Sequence, residues 1–324
     1  MSKEVLLEFK HVSKQFTVET DFLGRPTSVL KAVDDVSFQI YKGETLGLVG
    51  ESGCGKSTIG KMLVDLYKPT SGEIMFDGKD ISKLSKKERR GYCKDIQLIF
   101  QDPYASLNPR MTIGDIIAEP IRLNQNLSNQ EIEKKVNHLL NCVGLAYHQR
   151  NRYPHEFSGG QRQRVGIARA LAVEPKLIVC DEPVSALDVS IQAQVLNLLD
   201  DLKEEFGLTY LFIAHGLNVV KHISDRVGVM YLGKMMELAD KQELYTNPMN
   251  PYTQALLSAI PSIDIHKKKE RIILSGDVPS PINPPDGCRF ASRCFKKCDG
   301  KCDSSTPSLK DVGSNHMVAC HLYE

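Results

Sequence analysis

Three elements in a fixed order constrain this chain more than any other feature. They are a glycine-rich loop at Gly50–Thr58, a Ser-Gly-Gly-Gln element at Ser158–Gln161, and an apolar run that ends in Asp181-Glu182. The second element offers the Ser158 hydroxyl and two glycines whose backbone N–H groups can approach an anion where a helix begins. Because one chain seldom needs two phosphate-binding surfaces for one triphosphate, the pattern predicts two chains that enclose ATP, each with one face.

The glycine-rich loop has the Gly-x4-Gly-Lys-Ser pattern of a phosphate loop, between the apolar run Leu46–Val49 and a helical pattern that begins near Ile59. This strand, loop and helix context is the one that the motif requires. Its backbone N–H groups face phosphates, Lys56 neutralises the β and γ oxygens, and the Ser57 hydroxyl reaches Mg²⁺. The residues expected to contact the nucleotide are Gly50, Ser52, Gly53, Cys54, Gly55, Lys56, Ser57 and Thr58.

The two carboxylates follow the short apolar run Leu177–Cys180. A buried parallel strand would deliver them to the carboxyl edge of its sheet. There we expect Asp181 to hold Mg²⁺ through water and Glu182 to polarise the attacking water.

The Ser-Gly-Gly-Gln element resembles the signature motif of ABC-transporter ATPases, and three single residues match other motifs of that family. Gln101 matches the Q-loop glutamine, which implies that it senses Mg²⁺ and the γ-phosphate. His215 matches the switch histidine, and Asp188 matches an aspartate that contacts the other cassette of a dimer. One departure is Gly216, because many relatives have aspartate after the histidine.

The resemblance implies a role for each of these residues at an ATP site shared by two chains. It implies catalytic roles for Glu182, His215 and Gln101, and Mg²⁺ ligation by Ser57, Gln101 and Asp181. The residues that would face the partner's nucleotide are Ser158, Gly159, Gly160 and Gln161. Family members also stack an aromatic ring on adenine, and Phe16 has the matching position. Packing of Phe16 into a β layer is the alternative, with Phe22 as a second candidate for stacking.

The fold class expected from the pattern and the resemblance is α/β, with the core of a P-loop ABC ATPase. Short strands with turns are expected from Leu7 to Glu44, as an antiparallel layer beside a RecA-like sheet. Ser128 and Glu131 form a capping-box pattern before an amphipathic helix, and a helix after Asp188 is expected to close at Gly207. We predict a nucleotide-binding domain over residues 1–247, with an inserted helical subdomain at about 102–165, and an extension over residues 248–324.

Composition adds limits on location and partners. The 324 residues carry a net charge of +1, so no bias toward nucleic acid is visible, and we expect no nucleic-acid partner. The short run Lys267–Lys269 is expected to be a solvated face. No apolar run approaches the ~18 residues of a membrane helix, and the N-terminus lacks a signal-peptide pattern. We therefore expect a peripheral protein at the cytoplasmic face of the membrane, with other subunits supplying the membrane spans.

The tail resembles that of oligopeptide and dipeptide importer ATPases, in the segments Asn250–Pro261, Gly276–Pro281 and Pro284–Phe290. Within that branch the chain is similar to the second, F-type, of two related ATPases. The resemblance implies an ATPase that powers peptide import, with a second related ATPase, two transmembrane permease subunits and an extracytoplasmic peptide-binding protein. The alternatives are a soluble non-transport ABC ATPase, an iron–sulfur redox sensor, and an importer of nickel or glycosides.

Five of the nine cysteines crowd the tail, namely Cys288, Cys294, Cys298, Cys302 and Cys320. In a reducing cytosol such a group indicates Zn²⁺ or a [4Fe–4S] cluster rather than disulfides, with free thiols as the alternative. The family resemblance favours an iron–sulfur cluster on Cys288, Cys294, Cys302 and Cys320, with Cys298 as a substitute for Cys302. Since no redox-partner motif appears and the catalytic residues lie in a separate core, we expect such a cluster to be structural.

Overall fold

The structure, a computed structural model, describes residues 4–260, 270–298 and 300–324. The chain divides into two compact units: the first comprises residues up to 41, 45–83 and 214–324, and the second comprises residues 42–44 and 84–213. The segment predicted as a helical subdomain, residues 102–165, belongs to the second unit. The predicted boundary after residue 247 lies inside the first unit. The run Lys267–Lys269 lies outside the described residues.

Strands and helices alternate along most of the chain. The strands are β1 (Val5–Thr20), β2 (Pro26–Tyr41), β3 (Thr45–Val49), β4 (Ser71–Phe76), β5 (Lys79–Asp80), β6 (Ile96–Ile99), β7 (Leu177–Asp181), β8 (Thr209–Ala214), β9 (Arg226–Tyr231), β10 (Lys234–Asp240), β11 (Leu309–Asp311) and β12 (Met317–Ala319). The α-helices are α1 (Lys56–Leu63), α2 (Lys86–Tyr92), α3 (Ile113–Asn124), α4 (Asn129–Cys142), α5 (Gly159–Leu171), α6 (Val189–Phe206), α7 (Leu217–Ile223), α8 (Lys241–Thr246), α9 (Pro251–Ser258) and α10 (Lys301–Ser304).

The first unit contains an antiparallel sheet in the order β2-β1-β4-β5. The expectation of short strands is wrong here, because β1 and β2 each run for 16 residues. Several register shifts along their pairing, including one between Phe9 and Val12, let two long strands stay paired while they bend. Phe9 and Phe38 are register partners whose rings stack 4.6 Å apart, and both are buried. The two strands are joined by a turn around Asp21–Arg25.

A second group of paired strands in the first unit carries the phosphate loop and the end of the tail. Strand β3 pairs in parallel with β9, and β9 pairs antiparallel with β10. Strand β10 pairs antiparallel with β12, which in turn pairs with β11. The last strands of the tail therefore extend the same sheet as β3, whose five residues are all buried.

The second unit combines parallel strands with helices. Strand β7 pairs in parallel with β6 on one side and with β8 on the other, and every residue of β7 is buried. The capping box of Ser128 and Glu131 is confirmed at the start of α4, whose apolar face is buried. Helix α6 ends at Gly207, which has a φ of 64°, as the sequence predicts. No helix among the described residues is both long and apolar enough to cross a membrane.

Candidate functional site

The phosphate loop lies between β3 and α1, in the context that the sequence predicts. Two of its glycines have positive φ angles and no room for a side chain. A Cβ on Gly50 would lie 2.1 Å from the Met230 carbonyl oxygen, and a Cβ on Gly55 would lie 2.1 Å from that of Ala32. The loop is therefore packed against its own unit by backbone contacts that only glycine permits.

Lys56 is the first residue of α1, and its side chain folds back over the loop. Its ammonium donates hydrogen bonds to the carbonyl oxygens of Gly50 at 2.7 Å and Glu51 at 3.1 Å, and only 3% of the residue is exposed. Two loop carbonyls thus hold a positive charge beside the helix N-terminus, which suits a phosphate group. Ser57, the expected Mg²⁺ ligand, is the second residue of the same helix.

Cys54 packs inside this loop, with its Sγ 3.6 Å from the Lys56 ammonium nitrogen. The thiol is buried, and burial raises its pKa above the ordinary value. A buried thiol with a raised pKa is a poor nucleophile, so Cys54 fills space in the loop.

Phe16, the expected adenine-stacking residue, lies on β1 in the same unit as the phosphate loop. Its ring meets the edge of Tyr67 at a centroid distance of 5.1 Å, and the Lys14 ammonium lies 4.9 Å from the ring centroid. Tyr67 follows α1, whose first residue is Lys56. Phe22 is in the turn after β1 and is 95% exposed.

In the second unit, the structure brings Gln101 and Glu182 together across 81 residues of sequence. The Gln101 side-chain amide donates a hydrogen bond of 2.6 Å to the Glu182 carboxylate. Asp181 ends β7, and Glu182 follows it with a φ of 51°, a left-handed conformation that is uncommon outside glycine. The Glu182 N–H donates to the carbonyl oxygen of Ile213 on β8, which holds that conformation.

The Ser-Gly-Gly-Gln element begins α5. The Ser158 hydroxyl accepts from the Gln161 N–H, and the Gln161 side-chain oxygen accepts from the Ser158 N–H, which is a capping box. A Cβ on Gly160 would lie 2.4 Å from the Ile191 side chain of α6, so this position needs glycine. Ser158 is exposed while Gly160 is buried, and the helix N-terminus therefore opens to solvent at its serine.

Asp188 and His215 lie at the starts of two other helices, and both are exposed. Asp188 occupies the N-cap position of α6. His215 lies two residues before the first residue of α7, Leu217. Gly216 then caps α7, and a Cβ there would lie 2.4 Å from the Asn218 side-chain oxygen. At Gly216, the position that departs from the family pattern, any larger residue would therefore require the Asn218 side chain to move.

The five tail cysteines come together in three dimensions. They line one small cavity in the first unit, together with residues of α9, β12 and the last turn. The Cys288 N–H donates to the Cys302 carbonyl oxygen at 2.8 Å, and the Cys302 N–H donates to that of Cys298 at 3.1 Å. Burial raises the pKa of Cys288 to about 11.

The tail is not separate from the part of the core that carries the phosphate loop, because both lie in the first unit and are in contact. Arg293, next to Cys294, forms a salt bridge of 2.9 Å with Glu51 of the phosphate loop. Tyr252 of α9 also contacts this loop, because its hydroxyl accepts a hydrogen bond of 3.0 Å from the Glu51 N–H. Sequence reasoning missed these contacts because no local pattern links residues that are more than 200 positions apart.

Comparisons with known proteins agree along the whole chain. The sequence profile described as "ABC transporter" matches residues 33–185, and that described as "Oligopeptide/dipeptide transporter, C-terminal region" matches residues 236–302. The oligopeptide transport ATP-binding protein AppF of Bacillus subtilis is 57% identical over 99% of this chain and 98% of its own. The oligopeptide transport ATP-binding protein OppF of Haemophilus influenzae is 55% identical over 98% of this chain and 97% of its own.

Solved structures show the same fold. The dimeric ATP-binding cassette MJ0796, in a post-hydrolysis state bound to ADP and phosphate, is similar with a TM-score of 0.65 and 30% identity over 73% of this chain and 99% of its own. The protein cbiO1 of Clostridium perfringens, part of the ABC transporter complex cbiONQ, is similar with a TM-score of 0.65 and 28% identity, over 76% of this chain and 92% of its own. The chain belongs to the ATP-binding proteins of the ABC transporter family, in the group that carries the oligopeptide/dipeptide transporter C-terminal region.

Proposed function

We propose that this chain binds and hydrolyses ATP to power the import of oligopeptides or dipeptides by a multisubunit ABC transporter. The observation that carries the proposal is similarity above 50% identity, over nearly the whole chain, to proteins named for oligopeptide transport. That similarity includes the tail, which has its own family match. Tail and cassette together therefore favour a peptide importer over a soluble ABC ATPase or an importer of nickel or glycosides.

ATP with Mg²⁺ is the expected ligand pair of an ABC ATPase, and the residues present suit it. The glycine loop and the buried ammonium of Lys56 would bind phosphate oxygens. Ser57 and Gln101 would supply oxygen ligands for Mg²⁺, and Asp181 would hold the ion through water. Glu182 would orient and polarise the attacking water. The hydrogen bond from Gln101 supports this role, because it holds the carboxylate in one place.

Other residues would act at the γ-phosphate and across a dimer of cassettes. His215 would contact the γ-phosphate, since it is exposed at the start of a helix. Ser158, Gly159, Gly160 and Gln161 would face the nucleotide of the partner cassette, with Asp188 in contact with that cassette. The exposed N-terminus of α5 supports this assignment, because the backbone N–H groups at a helix start attract an anion.

The partners in this proposal are a second related ATPase, two transmembrane permease subunits and an extracytoplasmic peptide-binding protein. The chain would lie at the cytoplasmic face of the membrane, held there by the permeases. ATP-driven closure of the two cassettes would drive the permeases, and hydrolysis would release them.

Uptake by intact cells tests the transport proposal. Cells that lack this chain are complemented with the wild type, with Lys56→Ala, or with Lys79→Ala, which removes an exposed lysine of β5 as a matched control. We expect uptake of labelled di- and oligopeptides to be restored by the wild type and by Lys79→Ala only. Restoration of nickel or glycoside uptake without any effect on peptides would overturn the substrate assignment.

We also propose that the tail cysteines hold a [4Fe–4S] cluster through Cys288, Cys294, Cys302 and Cys320. The arrangement of five thiols around one cavity supports the proposal. The fifth, Cys298, would be a substitute ligand for Cys302. A zinc ion on the same thiols is the alternative. The cluster would order a tail that has few large apolar residues.

Metal analysis of anaerobically purified protein tests this second proposal. We expect about four iron atoms and four sulfides per chain and a brown colour in the wild type. Cys294→Ser should lose the iron, whereas Cys142→Ser, which changes a thiol of α4 outside the tail, should keep it. One colourless zinc per chain would support the alternative, and tail thiols that are all freely alkylated without metal would refute both.

A further inference from the structure

Glu51 of the phosphate loop is a residue that the tail contacts directly. One terminal nitrogen of the Arg293 guanidinium donates to both Glu51 carboxylate oxygens, at 3.0 and 2.9 Å. The Arg293 side chain is 10% exposed and that of Glu51 is 27% exposed. Partial burial makes this ion pair less screened by solvent than a surface pair, so its geometry matters to both partners.

The same glutamate is also held through its backbone. Its N–H donates to the Tyr252 hydroxyl at 3.0 Å, and its carbonyl oxygen accepts from the Lys56 ammonium at 3.1 Å. A shift of Glu51 would therefore move one of the two carbonyls that hold Lys56. The side-chain contact with Arg293 and the position of the phosphate-binding lysine are linked through a single residue.

Arg293 has little freedom to move by itself. It ends a short 3-10 helix at Ala291–Arg293, and the same nitrogen lies 3.3 Å from the Tyr231 hydroxyl. Tyr231 packs against Tyr252 at 4.7 Å and against Phe290 at 5.3 Å between ring centroids. These three fully buried aromatic rings form a rigid base under the ion pair. Movement of the tail at Cys294, the next residue, would therefore displace Arg293 and with it Glu51.

We propose that Arg293 is a positioning residue for the phosphate loop, through which the order of the cysteine-rich tail sets the affinity for nucleotide. The proposal rests on the assignment of this loop as the ATP site. Because coupling between two sites is reciprocal, bound nucleotide must also stabilise the tail. Arg293 itself makes no contact with ATP in this proposal, and its effect passes through Glu51.

A double-mutant cycle on nucleotide affinity tests the coupling. Equilibrium binding of a fluorescent ATP analogue with Mg²⁺ is measured for the wild type, Arg293→Gln, Glu51→Gln and the double variant. We expect each single change to raise Kd by about 5- to 150-fold, and the double variant to bind no worse than the weaker single variant. Arg293→Lys keeps the charge and should recover part of the affinity.

The control is Lys297→Gln, which removes another tail cation whose partner, Asp303 at 2.8 Å, lies outside the phosphate loop. It should leave Kd unchanged. The reciprocal measurement is limited proteolysis of the tail, which nucleotide should slow in the wild type and in Lys297→Gln but not in Arg293→Gln. If Arg293 only stabilises the tail, Arg293→Gln should make the tail more sensitive to proteolysis, but the losses of affinity in the double-mutant cycle should be additive.

Wild-type affinity in Arg293→Gln, or additive losses in the double variant, would overturn the inference. Lys56→Ala separates this failure from failure of the loop assignment. If Lys56→Ala abolishes binding while Arg293→Gln binds normally, only the coupling is refuted. If Lys56→Ala binds normally as well, the assignment of the ATP site is refuted.

Discussion

The Gln101 side-chain amide donates a hydrogen bond of 2.6 Å to the Glu182 carboxylate, which joins the second residue after β6 to the residue directly after β7. The two strands are paired neighbours, so their carboxyl ends bring these residues together. Glu182 is 5% exposed and adopts a left-handed backbone conformation, which aims its side chain in a direction that an ordinary strand extension would not give.

From this relationship we predict that Glu182→Gln retains ATP binding and loses hydrolysis. The amide can still accept the hydrogen bond from Gln101, so the fold should survive, but it is too weak a base to polarise water. We expect kcat of the assembled transporter to fall by about 10²- to 10⁴-fold, as measured by steady-state phosphate release. Glu205→Gln, an exposed carboxylate of α6, is the matched control. Near-normal turnover by Glu182→Gln would remove this residue from its role.

Two capping boxes in the second unit allow the role of Ser158 to be separated from simple helix capping. Ser158 caps α5 and Ser128 caps α4, and each hydroxyl oxygen lies 3.4 Å from the backbone nitrogen three residues later. Replacing either serine by alanine should cost about 1 kcal/mol of stability. Only Ser158→Ala should also impair ATP hydrolysis, at the site whose phosphate loop belongs to the partner cassette.

Site-specific photolabelling with an ATP analogue in a dimer with one altered cassette measures this effect. We expect reduced labelling of the partner's phosphate loop and normal labelling at Lys56 of the altered chain. The opposite distribution would contradict the arrangement in which two cassettes enclose each ATP. Equal loss of ATPase activity in Ser128→Ala would show that cap loss alone explains the effect.

Phe16→Ala should weaken ATP binding by about 1–3 kcal/mol, the range measured for loss of one stacked base. Phe22→Ala is the natural control, because it removes a fully exposed ring from the adjoining turn. Equilibrium binding of ATP, compared with binding of inorganic triphosphate, isolates the contribution of the base. If Phe16→Ala weakens both ligands equally, the ring packs within the β layer, where it already contacts Tyr67.

The stability of the tail should depend on pH through His316. Burial alone would lower the pKa of this histidine, but the hydrogen bond and charge of Glu237, with the charge of Glu243, raise it above the ordinary value. The His316 imidazole lies 2.7 Å from Glu237, on the strand that pairs with β12. Because the folded-state pKa is raised, this stabilisation is complete below the unfolded pKa of about 6.5 and is lost as pH rises through the folded value.

Urea unfolding at pH 6 and at pH 9 tests this dependence, with His316→Gln as the control that cannot titrate. We expect the wild type to lose on the order of 1 kcal/mol more than the variant between these pH values. Identical pH profiles for the two proteins would show that the ion pair contributes nothing to stability.

Much of the nucleotide-binding machinery could be predicted because its signals are local. The phosphate loop requires glycines beside a lysine at the start of a helix, and both capping boxes place two side chains three residues apart. Such patterns carry their geometry within one turn of chain, so periodicity and residue type are enough. Agreement of several motifs in order then identifies the family, as the comparisons confirm.

What the sequence by itself determined is the position of the local motifs along the chain and the family. Only the tertiary structure decided which distant residues meet: Gln101 with Glu182 across 81 positions, and Arg293 with Glu51 across 242. It also decided that β1 and β2 are long. Bulges at their register shifts let the paired strands bend without ending, whereas sequence propensity alone predicts an end at each irregular position. Long-range contacts follow from how strands pair and how aromatic rings pack, and no local pattern encodes these partners.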